Sequence, residues 1–256
     1  MAEVKEKAKS FYYKANPKSD SLVFLFHGFS GSLYDLKEVA EYLVAQHLDV
    51  KGVRLAGHGS SPEDLAATTA GDWWHSVNRE MLAIKDNYKN IFIIGYSFGG
   101  NLAIDFALRY PLIIKSIVLL GPSVFIRRDK LYRFLLPYKK VFSKYQTKRI
   151  GSPKDILEYE EKGGYSRIFI KSIKEFFDFI TDYTIKEIPF LKTPTLIIHS
   201  KKDKVVHPRS STYIYNKIQS PKKELMFLDD HEHNPFFYDK KPEIFEKIKN
   251  FLKENS

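Results

Sequence analysis

The stretch IFIIGYSFGGNLAIDFALRY, residues 91–110, constrains the fold of this chain more than any other. An apolar run typical of a buried strand leads directly into Ser97, and a helical pattern follows without room for a loop. Gly95 and Gly99 flank the serine in a G-x-S-x-G pattern. Side chains at such a corner would strike the neighbouring backbone, so the glycines predict a strained turn that raises the Ser97 hydroxyl above the strand end. The sequence therefore predicts a nucleophile elbow with Ser97 as the nucleophile.

Apolar runs and helical patterns alternate along most of the chain. The predicted strands cover 22–26, 50–55, 91–96, 117–121, 195–200 and 224–228. The predicted helices cover 35–46, with Asp35 as the N-cap, and 72–87, 98–109, 208–219 and 242–254. This alternation predicts an α/β protein with a mostly parallel, doubly wound sheet that helices cover on both faces.

One segment interrupts the alternation. Residues 122–190 lie between two predicted strands, are rich in charged and aromatic residues, and have helical periods without a convincing strand. Within the segment, residues 169–183 carry an apolar stripe formed by Ile170, Ile173, Phe176, Phe177 and Ile180. We therefore expect a core domain of residues 1–121 and 191–256, into which residues 122–190 are inserted as a helical cap.

A serine hydroxyl becomes a good nucleophile only when a base removes its proton, and the base needs an acid that orients it. On a strand–turn–helix elbow, these partners follow the serine in the order acid, then histidine. Asp203 follows a predicted strand and is the candidate acid. After the last strand, His231 and His233 are both candidate bases, and two residues apart on extended chain they point the same way. His207 follows the acid too closely to come from a separate loop, and we expect it at the start of a helix.

Acyl transfer also requires N–H donors for the tetrahedral oxyanion. One predicted donor is the backbone N–H of Phe98, directly after the nucleophile. The second comes from the loop after an earlier strand, and the sequence FHGFSG at 26–31 supplies the N–H of Phe29. His27 in the same loop is predicted to be a structural histidine that binds loop backbone.

With these motifs in place, the chain resembles the α/β-hydrolase superfamily, and within it the small bacterial carboxylesterases and monoacylglycerol lipases. The resemblance spans nearly the whole chain and rests on FHGF at 26–29, RLAGHGSSPEDLAATTAGDWW at 54–74, GYSFGG at 95–100, TPTLIIHSKKDKVVHP at 193–208 and HNPFFYDKKPEIFEKIKNFL at 233–252. It puts His233 in the position of the catalytic histidine. The family usually has Ser-Gly before that histidine, whereas this chain has His231-Glu232, so His231 stays an alternative.

The resemblance implies hydrolysis of short- to medium-chain carboxylic esters through an acyl-enzyme, without metal or cofactor. Ser97, His233 and Asp203 are then the catalytic residues, and small-molecule esters are the substrates. A pocket for the acyl chain is expected among the rings of Phe29 and Phe98 and the side chains of Phe125, Phe134, Leu135 and Phe169. The alternatives are a monoacylglycerol lipase, with Glu158 or Glu161 holding the glycerol hydroxyls, a thioesterase, and a non-catalytic binding protein on the same fold.

Composition narrows the remaining classes. The formal charge of +10 is concentrated in residues 127–149, which hold nine Lys or Arg against one Asp. No zinc-finger spacing or RNP-like aromatic motif accompanies this charge, so we expect no nucleic-acid partner, and at most weak contact of the basic cap with anionic surfaces. The first residues are too polar for a signal peptide and no apolar run is long enough to span a membrane, so we expect a soluble, cytoplasmic protein.

Overall fold

A computed structural model describes residues 2–127, 144–148, 150–229, 233 and 241–256 of the chain. Within them a seven-stranded sheet has the order β1-β3-β2-β4-β5-β8-β9. Its strands are β1 (Phe11–Tyr13), β2 (Ser21–Phe26), β3 (Asp49–Val53), β4 (Asn90–Tyr96), β5 (Ile114–Leu120), β8 (Thr195–Ser200) and β9 (Lys223–Leu228). All pairings are parallel except that of β1 with β3, which is antiparallel. The predicted strands all form, and β1 is an additional edge strand.

Helices cover both faces of this sheet. They are α1 (Lys37–Ala45), α2 (Pro62–Ala66), α3 (Ala70–Ile84), α4 (Phe98–Arg109), α5 (Pro153–Glu161), α6 (Ile170–Phe179), α7 (Ile185–Glu187), α8 (Arg209–Lys217) and α9 (Lys241–Lys253). Short 3₁₀ turns lie at Glu6–Ala8, Leu33–Leu36, Lys85–Asn87 and Ile188–Phe190, and a π-helical turn lies at Ile180–Thr184. In the part of the chain that the structure describes, no helix is long and apolar enough to cross a membrane.

The alternation of side chains along each buried strand divides the core into two layers. Phe24 of β2 and Ile93 of β4 belong to the layer that includes residues of α3, α4 and α6. Val23 and Phe92, their neighbours in sequence, belong to the opposite layer with α1 and α9. Because both faces of the parallel strands are covered, the polar ends of the strands are the places where functional side chains reach the surface.

Two sequence-based expectations need correction. Asp35 is not an N-cap, because the helix is preceded by the 3₁₀ turn Leu33–Leu36, which Ser32 caps by accepting a hydrogen bond from the Tyr34 N–H. The segment 122–190 also contains strands, since β6 (Tyr145–Thr147) pairs antiparallel with β7 (Arg167–Phe169). These strands are only three residues long, too short to leave an apolar run in the sequence.

Candidate active site

Ser97 lies at the junction of β4 and α4, at the carboxyl end of the central strands. Its φ of 53° is in the left-handed region, which side-chain-bearing residues seldom adopt. The Ser97 N–H donates to the carbonyl of Leu120 at the end of β5, at 2.8 Å. The neighbouring strand thus holds the strained corner in place.

Backbone packing explains the glycines around Ser97. A Cβ at Gly99 would lie 2.0 Å from the carbonyl oxygen of Phe26, and a Cβ at Gly95 would lie 2.3 Å from the carbonyl oxygen of Gly99. Both obstacles are backbone atoms that no side-chain rotation can move. Only glycine at these two positions lets α4 start directly against the ends of β2 and β4.

His233 connects the Ser97 hydroxyl to a carboxylate. Its Nε2 lies 2.9 Å from Ser97 Oγ, and its Nδ1 lies 2.7 Å from Asp203 Oδ2. The ring packs 5.1 Å from that of Tyr96, between centroids, and lies beside Gly121, where a Cβ would be 3.5 Å from the imidazole. With Nδ1 facing a carboxylate, Nε2 is the nitrogen that accepts a hydrogen bond from the Ser97 hydroxyl.

Asp203 is fully buried in the loop after β8. Its Oδ1 accepts the N–H groups of Val205 and Val206 at 2.7 and 2.8 Å, while Oδ2 accepts from two imidazoles, those of His233 and His199. Burial alone raises the pKa of this carboxyl, but the hydrogen bonds from His199 and His233 outweigh burial and hold the pKa well below its usual range. Asp203 therefore stays an anion at neutral pH.

His199, at the end of β8, is the second imidazole on this carboxylate. Its Nε2 lies 3.0 Å from Asp203 Oδ2, and its Nδ1 lies 2.6 Å from Ser211 Oγ on α8. The side chain is fully buried, and it ties the acid both to the strand and to the following helix. His199 thus restrains the same carboxylate oxygen that binds His233.

The loop after β2 faces the start of α4. A Cβ at Gly28 would lie 3.2 Å from Ser97 Cβ, so this loop passes directly beside the nucleophile candidate. Within the described residues, no hydrogen bond uses the N–H of Phe29 or that of Phe98. Phe98 is also the first residue of α4, where the helix dipole favours negative charge. Both predicted donors are therefore free to bind an oxyanion.

His27 contacts loop backbone, as the sequence analysis expected. Its Nε2 accepts the N–H of Leu55 at 3.1 Å, and its Nδ1 lies 3.0 Å from the carbonyl of Gly28. Complete burial lowers the pKa of His27 to about 4, and burial likewise holds the pKa of the adjacent His58 well below its usual value. Both rings are neutral at pH 7 and support the loop.

Aromatic rings line the other side of this loop. The ring of Phe29 stacks on Phe176 of α6 at 4.8 Å between centroids, and the ring of Phe98 contacts Phe176 at 5.5 Å and Phe179 at 5.2 Å. Trp73 of α3 packs against both Phe29 and Phe98. The apolar stripe predicted for residues 169–183 therefore meets the rings beside Ser97.

The other residues predicted to line a pocket contact different rings or are not described. Phe125 packs its ring on Tyr213, and Phe169 packs its ring on Tyr145. Phe134 and Leu135 lie outside the described residues, as do positions 128–143 and 149 of the basic segment 127–149. On α5, Glu158 pairs with Lys162 at 2.5 Å and Glu161 is exposed to solvent.

Two functional candidates were missed from the sequence. Ser123, just after β5, has its Oγ 3.0 Å from Ser97 Oγ, and its type and position gave no signal. His199 did leave a signal, a histidine within the apolar run TLIIHS four residues before Asp203.

His207 lies at the start of α8, where its Nδ1 accepts the Arg209 N–H. His231 lies outside the described residues.

The chain is similar to proteins of a known family. A family model described as serine aminopeptidase, S33, matches residues 17–240. The chain is 27% identical over 227 residues to a carboxylesterase of Bacillus subtilis (strain 168), with 88% of each chain covered. It is also 27% identical over 257 residues to a thermostable monoacylglycerol lipase of Bacillus sp. (strain H-257), covering 97% of this chain and 96% of that one.

Solved structures share the architecture. A structure from work on LipS and LipT, two metagenome-derived lipolytic enzymes, superposes on this chain with a TM-score of 0.86 at 26% identity. The superposition covers 98% of this chain and 100% of that one. The monoacylglycerol lipase of Paleococcus ferrophilus superposes with a TM-score of 0.80 at 19% identity, covering 97% and 99%. Together with the sheet order, these similarities confirm the fold class that the sequence predicted.

Proposed function

Since this chain belongs to the serine aminopeptidase S33 family of α/β hydrolases, we propose that it is a carboxylesterase acting through an acyl-enzyme on Ser97. The observation that carries the proposal is the continuous hydrogen-bonded line from Ser97 Oγ through His233 to Asp203, with distances of 2.9 and 2.7 Å. The similarity to a carboxylesterase over 88% of both chains supports the same class of substrate.

The reaction proposed for this site has two halves. Ser97 Oγ attacks the ester carbonyl carbon while His233 Nε2 takes the hydroxyl proton, and the anionic Asp203 stabilises the imidazolium that forms. The N–H groups of Phe29 and Phe98 bind the oxyanion of the tetrahedral intermediate. His233 then gives its proton to the leaving alcohol oxygen as the carbon–oxygen bond breaks. In the second half, His233 removes a proton from water, which attacks the acyl carbon. His233 then returns the proton to Ser97 Oγ as the bond between that oxygen and the acyl carbon breaks, which releases the acid.

We assign substrate selection to the cap, residues 122–190, inserted in a core of residues 1–121 and 191–256. Three contacts of the cap with the Phe29–Ser30 loop support this role: Phe176 stacks on Phe29, the Tyr165 N–H donates to Ser30 O at 3.0 Å, and the Tyr159 hydroxyl donates to the same carbonyl at 3.0 Å. The rings of Phe29, Phe98 and Phe176 supply an apolar wall for the acyl chain. We expect the highest kcat/KM for p-nitrophenyl esters of short to medium chain length.

An organophosphonate ester tests the nucleophile. Incubation followed by mass measurement of the intact protein is expected to give one adduct on the wild-type chain and none on Ser97→Ala, because only an activated serine displaces the phosphonate leaving group. Hydrolysis of p-nitrophenyl butyrate should vanish with the adduct. A wild-type chain that forms no adduct would instead support a binding protein that uses the hydrolase fold without catalysis.

Separate replacement of the two histidines tests the base. His233→Ala is expected to lower kcat for p-nitrophenyl butyrate by about 10³-fold or more, because Ser97 loses its proton acceptor. His231→Ala is the matched control, and we expect it to keep kcat within about threefold of wild type. The reverse pattern would assign the base to His231.

A monoacylglycerol lipase is the second candidate, favoured by similarity to such an enzyme over 97% of this chain. The discriminating measurement compares a 1-monoacylglycerol with the methyl ester of the same fatty acid. A carboxylesterase without a glycerol site should cleave the two at rates within about tenfold of each other, since no polar contact distinguishes the alcohols. A much larger preference for the monoacylglycerol would support the lipase.

A further inference from the structure

Ser97 Oγ has a second hydrogen-bond partner besides His233. The hydroxyl of Ser123 lies 3.0 Å from it, and Ser123 is fully buried where the chain leaves β5. Within the described residues, this is the hydrogen bond that satisfies the Ser123 hydroxyl. A buried hydroxyl without a partner would cost free energy, so the two serines are coupled.

Asn101 fixes the backbone that carries Ser123. On α4, one turn after Ser97, its side-chain Nδ2 donates to the carbonyl of Ser123 at 2.8 Å, and its Oδ1 accepts the Ser123 N–H at 3.2 Å. The same Nδ2 lies 3.1 Å from Thr184 Oγ1 in the cap. Asn101 is fully buried, so the position of Ser123 relative to the elbow is set by a satisfied polar network and does not depend on solvent.

Counting protons gives the direction of the serine–serine hydrogen bond. The single hydroxyl proton of Ser97 points to His233 Nε2, because His233 Nδ1 carries its own proton towards Asp203. Ser123 must therefore be the donor and Ser97 Oγ the acceptor. The bond to Cβ and these two hydrogen bonds occupy three of the four tetrahedral directions at Ser97 Oγ, which leaves one lone pair free.

We infer that Ser123 is a positioning residue that directs the attacking lone pair of Ser97. This inference rests on the proposed role of Ser97 as the nucleophile. Without the Ser123 hydroxyl, rotation about the Ser97 Cα–Cβ bond is restrained by His233 alone, and the oxygen spends less time in line with an ester carbonyl. A hydrogen bond from Ser123 also withdraws charge from Ser97 Oγ, which makes the oxygen less nucleophilic. The rate of attack measures whether the gain in orientation outweighs this loss of nucleophilicity.

The test compares Ser123→Ala with Ser116→Ala. Ser116 on β5 is a matched control, because it is fully buried and its hydroxyl has no hydrogen-bond partner in the described part of the chain. The measurements are the second-order rate of inactivation by an organophosphonate, kcat and KM for p-nitrophenyl butyrate, and the thermal midpoint. We expect Ser123→Ala to lower the inactivation rate and kcat by about 3- to 10-fold with KM nearly unchanged, and Ser116→Ala to match wild type.

The outcomes separate the two proposals. An inactivation rate in Ser123→Ala equal to or above that of wild type would overturn the positioning role while leaving Ser97 as nucleophile. A wild-type chain that forms no adduct would overturn the proposed function itself. If Ser123→Ala lacks a cooperative thermal transition, Ser123→Cys takes its place, since a thiol fills the site but donates weakly; it should react more slowly than wild type, and an undiminished rate would again contradict the inference.

Discussion

The two halves of the site are held in place by different forces. The nucleophile corner, residues 95–100, is fixed by backbone atoms in contact: a Cβ at Gly99 would overlap the carbonyl of Phe26 at 2.0 Å. The charge side, formed by His199, Asp203 and His233, is fixed by hydrogen bonds to one carboxylate. Steric contact therefore fixes the nucleophile corner, and hydrogen bonds to a carboxylate fix the charge side. Substitutions in the nucleophile corner should lower the free energy of unfolding, whereas substitutions on the charge side should lower kcat.

The largest expected effect is on the charge side. Asp203→Asn keeps the shape of the side chain but presents an N–H₂ group and a neutral oxygen to two imidazoles, so His233 loses both its tautomer and the stabilisation of its protonated form. We expect kcat for p-nitrophenyl butyrate to fall by about 10³- to 10⁴-fold while the urea unfolding transition stays cooperative.

Asp229→Asn is the control for this change. Asp229 is exposed and its pair with Lys201, at 2.6 Å, lies on the surface, where such pairs contribute little. Its kcat should equal that of wild type within about twofold. An Asp203→Asn variant that kept a tenth of wild-type kcat would show that charge does not determine this half of the site.

The next effect is on the nucleophile corner. Gly99→Ala places a methyl group against the Phe26 carbonyl, and relief requires moving either β2 or α4. We expect a loss of at least about 3 kcal/mol in the free energy of unfolding, measured in urea, or no folded protein at all. Gly71→Ala on α3 is the matched control, since its Cβ would meet nothing closer than Thr69 Oγ1 at 3.5 Å; it should stay within about 1 kcal/mol of wild type.

This contrast explains what the sequence could predict. The glycines of the corner are neighbours of Ser97 in the chain, so the pattern GYSFG predicted Ser97 as the nucleophile from local sequence alone, although the carbonyl that excludes a side chain at Gly99 belongs to the distant Phe26. The charge side assembles residues that are 30 positions apart, as in the Asp203–His233 bond. Local patterns identified Asp203 by its place after a strand but left His231 and His233 unresolved, because alternation along extended chain gives both the same direction.

Apart from His199, the features that were missed lack a local signal. Ser123 is one hydroxyl in a short connection, and only the three-dimensional path of β5 brings it to Ser97. The edge strand Phe11–Tyr13 and the paired strands β6 and β7 are three residues long and are held by pairing with distant chain rather than by an apolar run. The expected cap at Asp35 failed because a 3₁₀ turn, which the helical period does not distinguish, precedes α1.

The smallest expected effect concerns pH and distinguishes the two halves by the pH range in which stability is lost. Burial lowers the pKa of His27, beside the nucleophile corner, to about 4, whereas an unfolded histidine titrates near 6.5. As pH falls between these values the unfolded chain takes up a proton that the folded chain refuses, so the free energy of unfolding decreases. The lowered pKa of Asp203 acts in another range. Asp203 contributes fully to the free energy of unfolding above the pKa of an unfolded aspartate, near 4, and this contribution is lost only below that pH.

Moderate acid should therefore weaken the loop beside the nucleophile corner before it weakens the charge side. Between pH 7.5 and 4.5, the difference in unfolding free energy between wild type and His27→Gln should narrow by about 2.5 kcal/mol. The reason is that only the wild type has a side chain at position 27 that takes up a proton when the protein unfolds. The difference between wild type and Asp203→Asn should not narrow, since the carboxylate stays charged throughout this interval. Urea unfolding at both pH values measures each difference, with His75→Gln, at an exposed position on α3, as the histidine control. A constant difference for His27→Gln would mean that the folded protein protonates His27 in this range, and the loop beside Ser97 would then depend on charge as much as Asp203 does.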